Sequence, residues 1–353
     1  MNSKMQTRRY AFDFLRILAA CAVIMIHVSG DYVTALNTNT QGFFAANLLN
    51  SLSRFAVPVF VMISGGLLLD ENRAMSSNKV VKMIGNMLIT LFSWSLFYAI
   101  GYDLIKPIVF HEELSVSAIL DTFFNGHYHM WYLYLLIGLY IVTPALRFFI
   151  KKENARLIRN YLLLSVAVCF AVPFVNQLVN HFFEEKDAVL SFAENFELHY
   201  FYEYLVYYVL GWYITHVGID KKHRVILYVG GVIGFAMTVI GSQIHFSPDR
   251  ANYFYENNSL NVFAYGIAAF TFIYYWFEEK KLSLNRFWLN ISKHTFGVYL
   301  IHCCYLFVFK KLASPLNGTL LEILAIYIPS VTLSFLTVAI LARIPYARKL
   351  VRG

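Results

Sequence analysis

Apolar residues run along this chain in long blocks separated by short charged clusters. A hydrocarbon core of about 30 Å needs roughly 20 helical residues. Joining apolar runs across single polar residues yields ten segments of that length, near 10–30, 43–69, 80–102, 129–149, 160–180, 197–217, 223–243, 258–276, 290–311 and 320–342. The pattern predicts an all-α integral membrane protein, a bundle of about ten transmembrane helices. The longest loops between them, 103–128 and 181–196, are acidic and aromatic, and 114–125 reads as a short amphipathic helix lying on the membrane surface. No internal repeat, low-complexity tract or soluble domain interrupts the pattern, so residues 1–353 are expected to form one membrane domain. No small-residue cleavage motif follows the first segment, which is therefore expected to stay as an anchor.

Composition agrees with that pattern. Of 353 residues, 58% are hydrophobic, 18% aromatic and 14% charged, where a soluble domain averages about 25% charged. A net charge of +8 would suggest nucleic acid in a soluble chain; in this one it sets membrane orientation instead. With the N-terminus cytoplasmic, the outer segments hold only Lys106, Lys186, Arg250, Lys310 and Lys311. Arg16 and Arg54 lie within spans, and every other Lys or Arg falls inside. Both termini are then cytoplasmic, and the pair Lys310–Lys311 is the one misfit. Cys21, Cys169, Cys303 and Cys304 all lie in apolar stretches without a C-x-x-C motif, so neither a disulfide framework nor a metal site is expected.

Ionisable groups at membrane depth cost about 2.5–3.5 kcal/mol each on insertion scales, so they usually face a polar interior and mark function. Arg16 and His27 are eleven positions apart, close to three full turns, and project from one face about 16 Å apart. Asp13, three residues before Arg16, is placed to pair with it; an interfacial pair snorkelling to water is the alternative. Counting about 1.5 Å per residue from the nearest cytoplasmic charge puts His27, Arg54 and Glu203 in one layer, roughly 24–27 Å from the inner surface. Such a layer is either an acid, base and anion-stabilising set or a structural ion-pair network. His129, in Gly126-His127-Tyr128-His129-Met130-Trp131-Tyr132, reaches the same layer from outside, while Trp131 and Tyr132 also fit an aromatic belt. His302 falls near the membrane centre, about 13 Å deep, where a neutral imidazole bonded to a backbone carbonyl is the plain alternative. Ser64-Gly65-Gly66 permits either close helix packing or free backbone groups for a ligand. No G-x-S-x-G, P-loop, G-x-G-x-x-G or H-E-x-x-H motif occurs.

Four ordered motifs then carry a resemblance. Arg16, ten intervening residues and His27 resemble the Arg-x10-His signature of the acyltransferase-3 family of multi-pass membrane O-acyltransferases. The stretch from Arg54 to Gly65 resembles the family's second-span pattern. His129-Met130-Trp131-Tyr132-Leu133-Tyr134, with Tyr140 and Pro144, resembles a later one, and Thr295-Phe296-Gly297-Val298-Tyr299-Leu300-Ile301-His302 its late Phe-Gly-x-Tyr-Leu-x-His motif. The resemblance implies an acyl-CoA co-substrate, acetyl-CoA by default, presented from the cytoplasm in a bacterial cell membrane. It also implies an acceptor hydroxyl on an envelope glycan or lipid-linked sugar, and no permanently bound cofactor. The chain looks like a stand-alone form without the hydrolase-like domain that some members carry.

On this reading Arg16, with Asp13 and Ser64, holds acyl-CoA. His27 acts as general base on the acceptor, Arg54 stabilises the oxyanion, and Glu203 orients His27 or binds sugar hydroxyls. A covalent acyl-His27 intermediate is the other route. His129, Trp131 and His302 are assigned to the acceptor side, with Tyr128, Tyr200 and Tyr253 as further stacking candidates. The competing function is a transporter exporting a glycan or small solute through the same charged residues. A noncatalytic scaffold would not need a shared layer of charges.

Overall fold

The fold is described from a computed structural model, which covers residues 8–103, 115–183, 203–245, 253–313 and 318–352. The described residues contain helices and no strand. In chain order the α-helices are α1 (Tyr10–Ala35), α2 (Gln41–Ser53), α3 (Ala56–Leu68), α4 (Ser77–Tyr98), α5 (Val116–Asn125), α6 (Trp131–Phe149), α7 (Ala155–Val166) and α8 (Val172–Phe183). They continue as α9 (Glu203–Trp212), α10 (Lys221–His245), α11 (Leu260–Glu279), α12 (Arg286–Ser292), α13 (Thr295–Leu312), α14 (Leu320–Leu341) and α15 (Pro345–Val351). Side-chain caps mark several starts: Thr40, Ser76, Ser115, Ser259, Asn285 and Thr319 each accept a backbone N–H three residues on.

Nine helical stretches among the described residues are long and apolar enough to cross a membrane, so this is an all-α integral membrane protein. The expected span 197–217 appears as α9 and its π-helical continuation Tyr213–Val217; its first six residues lie outside the described residues. So do Tyr200, the side chain of Glu203 and most of both long loops. Among the described spans α1 is the most buried. It packs against α2, α3, α11, α13 and α14, whereas α10 leaves Val225, Val229 and Val232 exposed where lipid would cover them. The surface helix expected at 114–125 is α5, which buries no residue.

The stretch 43–69, expected as one helix, is two. Proline lacks the N–H that would bond the carbonyl four residues back, and its ring crowds that carbonyl. Pro58 therefore interrupts the ladder at Arg54, and α2 ends with Arg54 N–H bonded to Ser51 at 3.3 Å before α3 starts at Ala56. The break leaves Arg54 in a corner between the two helices.

Ser64-Gly65-Gly66 serves close packing. A Cβ on Gly65 would lie 1.8 Å from the Tyr208 carbonyl oxygen, and one on Gly211 would lie 2.0 Å from that of Met62, so α3 and α9 cross backbone to backbone. At the basic end of the bundle Arg147 donates to the carbonyls of Leu68 (3.2 Å) and Arg73 (2.6 Å), satisfying the end of α3. Nearby, burial works against the Asp70 carboxylate, but the Asn72 backbone N–H and His216, 3.6 Å away, outweigh it and hold Asp70 below the usual carboxylate range.

Candidate active site

His27 lies on α1, where helical spacing from Arg16 puts both residues on one face. The backbone of its turn is held from α13: Lys310 donates to the His27 carbonyl at 2.6 Å and pairs with Asp31 at 2.6 Å. That contact accounts for half of the Lys310–Lys311 misfit, because Lys310 folds back against α1 and meets a carboxylate. The His27 ring packs 5.3 Å from Tyr128 and 5.2 Å from His302.

His302 is fully buried, and its Nδ1 donates to the Tyr299 carbonyl at 2.6 Å. The depth count for His302 needs correction, because its ring lies beside that of His27. The count took Lys293 as a surface marker, yet the preceding residue, Ser292, bonds Asp13 in the first turn of α1 at 2.7 Å. Helix α13 therefore starts alongside that turn, already inside the basic end. His129 is also buried; its Nε2 lies 3.2 Å from the Leu300 carbonyl, the His129 carbonyl accepts from the Tyr299 hydroxyl, and the His129 ring is 5.1 Å from that of His302.

Arg54, at the α2–α3 break, donates through Nε to Asn50 Oδ1 at 2.7 Å and through Nη1 to the Tyr255 carbonyl at 2.9 Å. Its guanidinium lies 4.3 Å over the Tyr255 ring. Asn50 in turn donates to Ser29 Oγ (2.9 Å) and to the Ile26 carbonyl (3.2 Å), tying Arg54 to the α1 turn that carries His27.

These groups meet around a cavity of about 320 Å³. His27, Arg54, His129, Glu256 and Asn257 form its polar wall, and Phe60, Trp131, Tyr132, Tyr204 and Tyr299 an aromatic one. Trp131 is 39% exposed and its ring sits 5.6 Å from Tyr204, which makes it a rim residue. His302 is not on the wall; it backs His27 and His129, bonded to a carbonyl as the plain alternative had it. Tyr253, half-buried beside Phe254, is likewise not on the wall.

The remaining candidates lie toward the basic end. Asp13 is 4% exposed and saturated: Arg8 binds it at 2.6 and 3.0 Å, Ser292 donates to it, and Arg16 Nη1 lies 3.6 Å away. The tight partner is Arg8, which the sequence did not single out, and the Arg16 side chain keeps 32% exposure. Ser64 donates to the Phe60 carbonyl at 2.9 Å, one turn back on its own helix. Tyr132, on the cavity wall, lies within electrostatic reach of Arg16, so the lower set is linked to the cavity through one tyrosine.

Sequence reasoning missed Glu256 and Asn257. The one available signal was their place in Tyr253-Phe254-Tyr255-Glu256-Asn257-Asn258, a polar and aromatic run immediately before the apolar block of α11. Chemically, an imidazole, a guanidinium and a carboxyl group around a cavity otherwise lined mostly by aromatic and aliphatic side chains can move a proton and stabilise a developing oxyanion.

Fold and site together define a polytopic membrane protein whose polar chemistry is gathered inside its helical bundle. A family model described as an acyltransferase domain, acyltransferase-3, matches residues 9–339, and the chain belongs to that family: it is a membrane acyltransferase. No curated protein and no solved structure matches it.

Proposed function

We propose that the protein moves an acyl group, acetyl by default, from acyl-CoA at the cytoplasmic end of the bundle to a hydroxyl of an envelope glycan or lipid-linked sugar. The observation that carries this reading is that His27 and Arg54, from different helices, line one cavity while Arg16 lies about 16 Å toward the basic end on the His27 face. A CoA ester has its anionic groups and its thioester at opposite ends of a long arm, and that separation suits an arginine at one level and a base at another.

In the proposed step His27 takes the acceptor hydroxyl proton as the oxygen attacks the thioester carbonyl. Arg54 faces the oxyanion, the carbon–sulfur bond breaks, and the departing thiolate takes the proton, leaving an ester and free CoA thiol. Trp131 and Tyr204 at the rim supply ring faces for a sugar, and Glu256 and Asn257 supply hydrogen-bonding groups for its hydroxyls. Family membership favours this over transport.

Purified protein in lipid should release thiol from acetyl-CoA only when glycan acceptor is added, with the acylated product visible by mass spectrometry. Binding of glycan without turnover of acetyl- or longer acyl-CoA would favour transport. Acylated His27 accumulating without acceptor would assign the relay route.

Arg54→Lys keeps a cation but loses the fork that meets Asn50 and the Tyr255 carbonyl together. The expected result is about a hundredfold lower kcat with the KM for acyl-CoA little changed; a KM effect alone would move Arg54 to donor binding.

Orientation is tested separately. An impermeant maleimide applied to intact cells should label Ser115→Cys, and Lys222→Cys only after the membrane is opened. Both positions are exposed, and the reverse pattern would invert the proposed topology.

A further inference from the structure

We propose that His127, His129 and Cys303 form a transition-metal site, best suited to zinc, between the segment leading into α6 and the middle of α13. Their three donor atoms lie within 4.8 Å of one another. His129 and Cys303 are buried and His127 is half-buried. The proposal does not depend on the acyl-transfer reading.

The tautomer of His129 favours coordination. A carbonyl only accepts, so the contact of His129 Nε2 with the Leu300 carbonyl at 3.2 Å puts the ring hydrogen on Nε2. The Nδ1 lone pair of His129 then faces His127 Nδ1, 2.8 Å away. Metal-bound histidines commonly donate their other N–H to a carbonyl, so His129 is already held in the ligating form. Cys303 Sγ has the Tyr128 hydroxyl at 3.4 Å and His302 Nε2 at 3.5 Å. Because His302 Nδ1 donates to Tyr299, its Nε2 carries a lone pair and can accept a hydrogen bond from the thiol.

Two imidazoles and a thiolate are a borderline-soft set that suits zinc and disfavours magnesium or calcium. A tetrahedral zinc with Zn–N near 2.0–2.1 Å and Zn–S near 2.3 Å needs N···N of about 3.3 Å and N···S of about 3.6 Å. The two Nδ1 atoms would part by about half an ångström, and since no two of the three donor atoms are more than 4.8 Å apart, none would have to approach another by more than about 1.2 Å. On binding, the S–H bond of Cys303 gives way to S–Zn and one proton is released to the medium, while His127, whose Nδ1–H donates to His129 Nδ1 before binding, gives up that hydrogen and takes one on Nε2, a change of tautomer with no net proton. The ion would pin the turn from His127 to Met130 onto α13. That turn sets Tyr128 against His27 and leads directly into Trp131 and Tyr132 on the cavity wall. A site of this kind escapes motif search because its third ligand comes from a distant span.

The test uses full-length protein without a polyhistidine tag, incubated with Zn²⁺ in detergent, washed with a weak chelator and analysed for bound metal. About one zinc per chain is expected for a tetrahedral site, with at least a tenfold loss in Cys303→Ser and in His129→Gln and none in Cys21→Ser. Co²⁺-loaded wild type should show a thiolate-to-cobalt charge-transfer band that is absent from Cys303→Ser. Should the variants not fold, the wild-type cobalt spectrum decides alone. Wild type retaining no more zinc than Cys303→Ser, or Co²⁺ giving no thiolate band, would overturn the site and leave the two histidines as a hydrogen-bonded pair.

Discussion

Replacing His27 by alanine should leave a folded protein whose acyl-transfer rate falls by about a hundred- to ten-thousandfold, the usual contribution of a positioned general base. The fold should survive because the link that anchors this turn, from Lys310, goes to the His27 carbonyl and not to its ring. What the mutation removes is a ring packed against Tyr128 and His302 at the edge of the cavity. His302 is poorly placed to substitute, since it lies behind the wall with Nδ1 bonded to Tyr299. His27→Gln separates chemistry from packing: glutamine fills space and hydrogen-bonds but accepts no proton at neutral pH. If the base role holds, Gln and Ala are equally inactive; recovery of activity in Gln would make His27 a positioning residue. Thiol release, read beside the thermal midpoint of each variant, gives the answer.

The second large effect concerns folding. Gly65→Ala and Gly211→Ala should each lower the thermal midpoint sharply and reduce the yield of monodisperse protein. Each added Cβ would come within about 2 Å of a carbonyl oxygen on the facing helix, and neither neighbour is a flexible side chain that can turn away. Forcing extra atoms into a packed interface costs about 1–3 kcal/mol or more. The consequence reaches the site, because α3 carries Phe60 and α9 carries Tyr204, and both line the cavity. Gly85→Ala and Gly230→Ala are the controls. A Cβ at either meets nothing within 4 Å, so each should be neutral or gain up to about 1 kcal/mol from helix propensity. Equal losses at all four positions would refute the crossing argument.

Much of the architecture was legible in the sequence because a span is a local property. Length and apolarity mark a helix whatever it packs against, and the caps at Thr40, Ser76 and Ser259 are written within three residues of each start. The broken second span was legible too, in Pro58, but was read as continuous because its hydropathy does not falter at the break. The pairing of Arg16 with His27 on one face follows from helical periodicity alone. Family motifs pointed to His27, Arg54 and His129, which line one cavity.

What periodicity does not contain is how each helix is rotated and offset against its neighbours, and the rest of the site depends on that. The depth of His302 was misjudged because α13 starts beside Asp13, a contact between residues 279 positions apart. Arg54 meets the Tyr255 carbonyl across 201 positions, Glu256 reaches the wall from the same turn, and Asp13 is claimed more tightly by Arg8 than by Arg16. By itself, then, the sequence determined the long apolar helices, the charge asymmetry on which the proposed orientation rests, and the family. Tertiary structure alone decided which polar groups share the cavity, because burying an ionisable side chain in lipid is tolerable only where other helices supply its partners.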